Sequence, residues 1–323
     1  MRRPSDPPAL AFLTRLESET LTWKFRNLHP DKFPLIELRP QGLLAMAAED
    51  TLIAGQPGTG KTWLLNELLI GALSRGNRVI LVQCGQTKSF SSLDFWTELG
   101  ADLIRIDDSS PQRLSDSRLT VLDAGRSAQP SFGTLALPVM ENIAETLLTI
   151  PESGEPTVIA FEGVDAVLHS PTITQAYLPS LAVKLKQTYC ARLLFTLTHL
   201  SDCVTTSGGK RLYRFCPSLI LGSGPEAFGR DRPIPAGFSI KELELLEVLD
   251  KKAPDEHDFF VRTCEGCGLG RLTPSSAEKR LFEGVRFHSL RAELTDTDEP
   301  GLPETRYRLP RSVVPDSKKA DAG

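Results

Sequence analysis

No stretch of this chain approaches the roughly 18 consecutive apolar residues that cross a membrane. The start is charged, Met1-Arg2-Arg3-Pro4, but Ser5-Asp6-Pro7-Pro8 follows in place of an apolar core, so no secretory signal is predicted. Cysteine is scarce and dispersed. Cys84, Cys190, Cys203, Cys216, Cys264 and Cys267 form no framework of a small disulfide-stapled domain, which fits a reducing compartment. Neither sign of charge prevails: 37 Lys+Arg against 41 Asp+Glu give a formal charge of −4. That balance excludes a surface basic enough everywhere to coat nucleic acid and leaves room only for a local basic patch. Internal repeats and low-complexity tracts are missing too, so collagen-like and repeat architectures are excluded. These absences predict a cytoplasmic protein without a transmembrane segment.

What remains is an ordinary globular composition of 323 residues, 40% of them hydrophobic, enough for one large domain or a core with appendages. The first 40 or so positions mix proline, charge and isolated aromatics, with one amphipathic stretch from Ala9 to Phe25. From Leu43 onward the pattern changes. Apolar runs of strand type, Thr51 to Ala54, Arg78 to Val82, Leu103 to Ile106, Leu119 to Leu122, Thr157 to Phe161, Arg192 to Leu197 and Leu219 to Leu221, are separated by helical patterns. The longest helices are predicted over Lys61 to Arg75, Leu137 to Ile150 and Ile173 to Tyr189. Buried strands alternating with helices predict an α/β protein with a mostly parallel sheet flanked by helices. Ser239, with Glu242 three positions on and Leu243, Leu246 and Leu249 at helical spacing, reads as a capped helix to Asp250. Phe259 to Arg262 and Leu269 to Leu272 then read as a hairpin turning at Glu265-Gly266.

The chemistry concentrates at Gly55-Gln56-Pro57-Gly58-Thr59-Gly60-Lys61-Thr62, which satisfies GxxxxGK[ST] between a short apolar strand and an amphipathic helix. Glycines let the backbone curl round phosphate oxygens, and the helix start supplies positive potential. Lys61 reaches the β and γ phosphates, and Thr62 offers its hydroxyl to Mg²⁺. ATP with Mg²⁺ is the cofactor pair this predicts. Such a site needs a carboxylate at a neighbouring strand end on the metal side, often with a glutamate next to it to polarise water. In Thr157 to Glu162 the metal-side position falls on Phe161 and puts Glu162 in the base position, unless Glu162 or Asp165 substitutes on the metal side, with Asp123 a further candidate. Phe161 then implies loosely held Mg²⁺ and slow hydrolysis, which Phe161→Asp is expected to quicken. His199, just past the strand Arg192 to Leu197, is placed to sense the γ-phosphate or else to face solvent.

Other groups carry less. Cys264-Glu265-Gly266-Cys267 is a single CxxC with only His257 nearby, short of the four ligands zinc requires, and reads as a hairpin turn. Lys184, Lys186, Lys210, Arg211 and Arg214 suit either nucleic acid or a solvated face.

Taken with these motifs, the chain resembles the motor domain of the TraC/TrbE-type ATPases of conjugative transfer and type IV secretion, within the hexameric P-loop motors. Four stretches carry the likeness: the P-loop unit; Asn77 to Ile106; Val158 to Asp202 with its closing Thr198-His199-Leu200-Ser201-Asp202; and Gly237-Phe238-Ser239 with Glu242, continuing through Asp258 to Arg262 and Arg271-Leu272. The resemblance implies a RecA-like P-loop NTPase core over 43–285 with a small C-terminal helix and hairpin; composition makes 1–42 a lead-in segment, and the loss of apolar periodicity after about Thr295 makes 286–323 a disordered tail. It further implies a homo-oligomer working with secretion or transfer apparatus proteins at the inner membrane, with DNA as a candidate partner and with Glu162 and His199 as catalytic residues. Arg211, Arg214, Arg230 and Arg232 are candidates to act on a neighbour's nucleotide. A DNA helicase or recombinase-like motor, and a nucleotide-binding assembly subunit that has lost hydrolysis, are the alternatives.

Overall fold

Apolar runs without polar alternation become strands buried on both faces, except Asp102–Arg105 at the sheet edge, and the architecture follows from that. The computed structural model describes residues 25–27, 49–85, 91–125, 134–151, 154–222, 237–240, 242, 243, 246, 257–264 and 266–272. The strands are β1 (Phe25–Asn27), β2 (Thr51–Gly55), β3 (Arg78–Gln83), β4 (Asp102–Arg105), β5 (Leu119–Asp123), β6 (Thr157–Glu162), β7 (Arg192–Leu197), β8 (Ser218–Gly222), β9 (His257–Thr263) and β10 (Gly266–Leu272). Between them lie helices α1 (Lys61–Ser74), α2 (Ser91–Glu98), α3 (Leu137–Leu147), α4 (Asp165–Leu168), α5 (Thr172–Tyr189), α6 (Asp202–Thr205) and α7 (Ser207–Phe215).

All ten strands join one sheet in the order β1-β10-β9-β8-β2-β7-β6-β3-β5-β4. From β8 to β4 every pairing is parallel, while β8·β9, β9·β10 and β10·β1 are antiparallel. The P-loop strand β2 is therefore central, and β7 lies between it and β6. Helices cover both faces of the parallel part. On one face Ile80, Val82, Ile159, Phe161, Leu193 and Phe195 pack with Val139 and Ile143 of α3 and Leu178 and Leu185 of α5. On the other, Ile53, Val79, Leu81, Val158, Ala160 and Leu194 pack with α1 and with Phe95 and Trp96 of α2. α1 is apolar around its circumference and is buried from Leu64 to Leu73.

The expected hairpin is present, with Thr263 opposite Gly266, and so is the helix cap: the Ser239 N–H and hydroxyl donate to Glu242 Oε2 at 2.7 and 2.9 Å. One feature departs from the reading of the lead-in segment. Phe25–Asn27, which starts at the last residue of the stretch read as amphipathic, is an edge strand opposite Gly270 to Leu272. Residues 273–323, including the tail at 286–323, and Arg230 and Arg232 lie outside the described residues.

Candidate functional site

The strand β2 stops at Gly55 because the next residues demand a turn. Gly58 and Gly60 both adopt φ of 84°, a left-handed conformation that side chains resist. Between them the loop bends back on itself: the Thr59 hydroxyl donates to the Gln56 carbonyl at 2.9 Å, and Lys61 Nζ donates to the same carbonyl at 3.0 Å. Helix α1 starts at Lys61 with the Leu64 N–H bonded to the Gly60 carbonyl, so its first free amides point into the loop. Pro57 and Gly58 are exposed, and Gln56, Thr59, Gly60, Lys61 and Thr62 are half-buried. A phosphate can therefore reach the amides from solvent.

The strand β6 brings the carboxylate. Side chains alternate between faces, so Val158, Ala160 and Glu162 point toward α1 while Ile159 and Phe161 point toward α3 and α5. Glu162 Oε1 accepts a hydrogen bond from the Thr62 hydroxyl at 3.0 Å. Phe161 is fully buried on the opposite face and stacks on Phe195 with ring centroids 5.3 Å apart. The expectation that position 161 is where a metal-side acid would sit is therefore corrected, because a side chain there cannot reach the loop. Gly163, which follows Glu162, has no side chain to offer.

Asp123 is buried at the end of β5, but Gln83 of β3 stands in register between it and Glu162. At about 4.8 Å per strand it lies about 10 Å across the sheet from Glu162. Gln83 itself was missed in the sequence. Its amide donates to Glu162 Oε2 at 3.5 Å, and its only signal was a polar residue closing the apolar run Val79 to Val82.

His199 reaches the loop from the end of β7, the strand between β2 and β6. Its Nδ1 lies 3.2 Å from Gln56 Nε2. The preceding residue, Thr198, donates its N–H to Asp165 at 2.9 and 3.1 Å and its hydroxyl at 3.2 Å. Lys61, Thr62, Glu162 and His199, far apart in sequence, thus gather round one loop, with Asp165 behind them.

Burial sets the protonation balance here. Desolvation lowers the Lys61 pKa, against the opposing pull of Asp165 and Glu162. Desolvation raises Glu162, although the Thr62 and Gln83 hydrogen bonds and the Lys61 charge work the other way. Asp165 is likewise raised by burial, and nearby Asp202 adds to the effect. Each charge in the cluster needs its neighbours. Thr62 and Glu162 offer a hydroxyl and a carboxylate, the hard oxygen donors Mg²⁺ prefers.

The remaining candidates lie elsewhere. The Cys264 thiol donates to Glu49 Oε1 at 2.7 Å, and among the described residues no three His, Cys, Asp or Glu side chains converge. Lys186 is engaged by Asp50 and sits over the Phe215 ring. Lys184, Lys210, Arg211 and Arg214 are exposed on α5 and α7. No described helix is long and apolar enough to cross a membrane.

No protein-family model and no curated protein matches the sequence. Solved structures do. VirB4 of Thermoanaerobacter pseudethanolicus is 12% identical with a TM-score of 0.54, covering 71% of this chain and 91% of that one. The genome packaging NTPase B204 from Sulfolobus turreted icosahedral virus 2 is 11% identical with a TM-score of 0.44, covering 70% and 96%. The cytoplasmic domain of the Type VII secretion ATPase EccC of Thermomonospora curvata is 13% identical with a TM-score of 0.44, covering 72% of this chain and 24% of that one. The likeness to VirB4 spans most of both chains, and it shows that this chain has the expected fold, a mostly parallel sheet flanked by helices of the RecA-like P-loop kind.

Proposed function

We propose that this protein binds ATP with Mg²⁺ at Gly55 to Thr62 and works as a motor-type ATPase. One observation carries the reading: the Thr62 hydroxyl and the Glu162 carboxylate, 100 residues apart in sequence, meet at 3.0 Å directly beside Lys61. A buried glutamate and a buried-side lysine facing an open glycine loop are costly to a fold and useful to a phosphate. The loop amides and Lys61 hold the β and γ phosphates. Thr62 and Glu162 hold Mg²⁺, which when bound neutralises charge on the phosphate oxygens. His199, held near the loop through Gln56, meets the γ-phosphate.

Glu162 thereby takes the metal-side role, and with Gly163 next to it no adjoining carboxylate polarises water. Hydrolysis is consequently slow. That same observation favours a second reading, a nucleotide-binding assembly subunit in which binding and not turnover is the working event. The wider setting follows the sequence resemblance: a homo-oligomer at the cytoplasmic face of a secretion or DNA-transfer apparatus, with DNA as a partner and Arg211 or Arg214 turned to the neighbour's nucleotide. Calorimetric titration with ATP and Mg²⁺, followed by a phosphate-release assay with and without DNA, tests both readings. Binding with DNA-stimulated release supports the motor, binding without release supports the assembly subunit, and no binding overturns both.

A further inference from the structure

The contact of β6 with β7 continues past the ends of both strands as a series of hydrogen-bonded rungs. The Gly163 N–H donates to Thr196 Oγ1 at 2.9 Å, and the Val164 N–H donates to the Thr196 carbonyl at 2.9 Å. The Thr198 N–H is shared by both Asp165 carboxylate oxygens, and further on His169 Nε2 lies 3.1 Å from Asp202 Oδ2. The Asp165 rung is the densest of these, because the Thr198 hydroxyl joins its N–H there. Bonds to a charged acceptor are roughly twice as strong as neutral ones, and here two donors of one residue meet a single carboxylate.

Its position along the chain gives it a use. Thr198 immediately precedes His199, whose Nδ1 is 3.2 Å from Gln56 of the P-loop. Fixing the N–H of residue 198 fixes the direction in which the backbone delivers the next side chain. Asp165 is fixed in turn by the first turn of α4, where its carbonyl accepts the His169 N–H at 2.9 Å. Both of its oxygens are directed at Thr198, which is the geometry of a brace and leaves little of the carboxylate turned toward a water in the phosphate site.

We propose that Asp165 is a positioning residue: by clamping the Thr198 backbone it holds the His199 imidazole against the P-loop, where the imidazole distinguishes a nucleotide with a γ-phosphate from one without. The inference rests on the ATP-binding reading above. Asp165 also supports the charge of Lys61, which meets the β and γ phosphates; a loss through Lys61 would add to that of His199→Ala in a double variant, whereas a loss through aiming His199 would not.

Calorimetry on the full chain with Mg²⁺, comparing ADP with the non-hydrolysable β,γ-methylene analogue of ATP, reads that ratio. The wild type should prefer the analogue, and the His199 contact should carry about tenfold of that preference, the worth of one hydrogen bond to a charged group. His199→Ala and Asp165→Ala should each lose that tenfold, and the double variant should lose no more than either alone. Asp165→Asn should keep it, since the amide oxygen still accepts the Thr198 N–H. If Asp165→Ala does not fold, Asp165→Glu, which retains the charge but displaces the acceptor by a methylene, should show the same loss. A wild type without preference, an Asp165→Ala or Asp165→Glu protein that retains the full preference, or an Asp165→Asn protein that shows the loss overturns the proposal. Absence of any nucleotide binding by the wild type instead overturns the ATP-binding reading.

Discussion

The P-loop unit at residues 51–74 and the acid-strand and sensor region at residues 157–202 meet at one site, yet they are built by opposite means. The first is contiguous. Its strand, its two left-handed glycines and its helix form a device whose working parts are mostly backbone amides, so the order of residues almost dictates the geometry. The second is assembled from side chains delivered by separate strands, and which residue arrives depends on strand parity. A shift of one position carries a side chain through the sheet to the other face. Position 161 lies in the core against Phe195, whereas position 162 touches Thr62.

Phe161→Asp breaks this comparison most forcefully. On the face assignment it places a carboxylate among Phe195 and the side chains of α3 and α5, with no partner and with the volume of a phenyl ring lost. Truncating a buried Phe costs about 3–5 kcal/mol before any penalty for the charge. Denaturant unfolding should show a protein destabilised by at least that amount or unfolded outright. A folded variant that hydrolyses ATP faster than the wild type would return the acid position to 161.

Lys61→Ala tests the contiguous half. Loss of the ammonium that meets the β and γ phosphates should weaken ATP binding at least tenfold, about 1.4 kcal/mol, in a calorimetric titration. Equal affinity would separate the motif from the nucleotide. Gly58→Ala probes the loop backbone alone: a methyl there meets nothing within 4 Å, but φ is +84°. The left-handed strain of about 1–2 kcal/mol should appear as reduced stability or, if the loop relaxes, as weaker ATP affinity.

Glu162→Gln gives the smallest change and the clearest sign. Burial raises the Glu162 pKa above its ordinary value of 4.5, so the folded state holds a proton more tightly than the unfolded chain does. The stability linked to that proton is complete below 4.5 and is lost as the pH rises through the raised folded value. Replacing the carboxylate with an amide should therefore stabilise the nucleotide-free protein at neutral pH, and the gain should shrink as the pH falls toward 4.5. Thermal melts across that range check it, and a gain that grows on acidification would contradict the burial of a charged Glu162.

Much of the fold was legible in the sequence because its parallel strands are uninterrupted apolar runs. The same holds for the Ser239–Glu242 cap and the β9·β10 hairpin, whose signals are local. Three features were hidden for definite reasons. Phe25–Asn27 is too short to show a period, and its strand exists only through pairing with β10. Gln83 gains meaning only once β3 is known to lie beside β6. The brace from Asp165 to Thr198 joins residues 33 apart through a backbone N–H, which no side-chain pattern can announce.

The pairing of Thr62 with Glu162 is the proposed metal side of the site. It is tested by measuring ATP affinity with and without Mg²⁺ in the wild type and in Glu162→Gln. Mg²⁺ should tighten ATP binding in the wild type and should lose most of that effect in the variant, while affinity without Mg²⁺ stays comparable. An undiminished Mg²⁺ effect in Glu162→Gln would show that the carboxylate meeting Thr62 does not serve the metal.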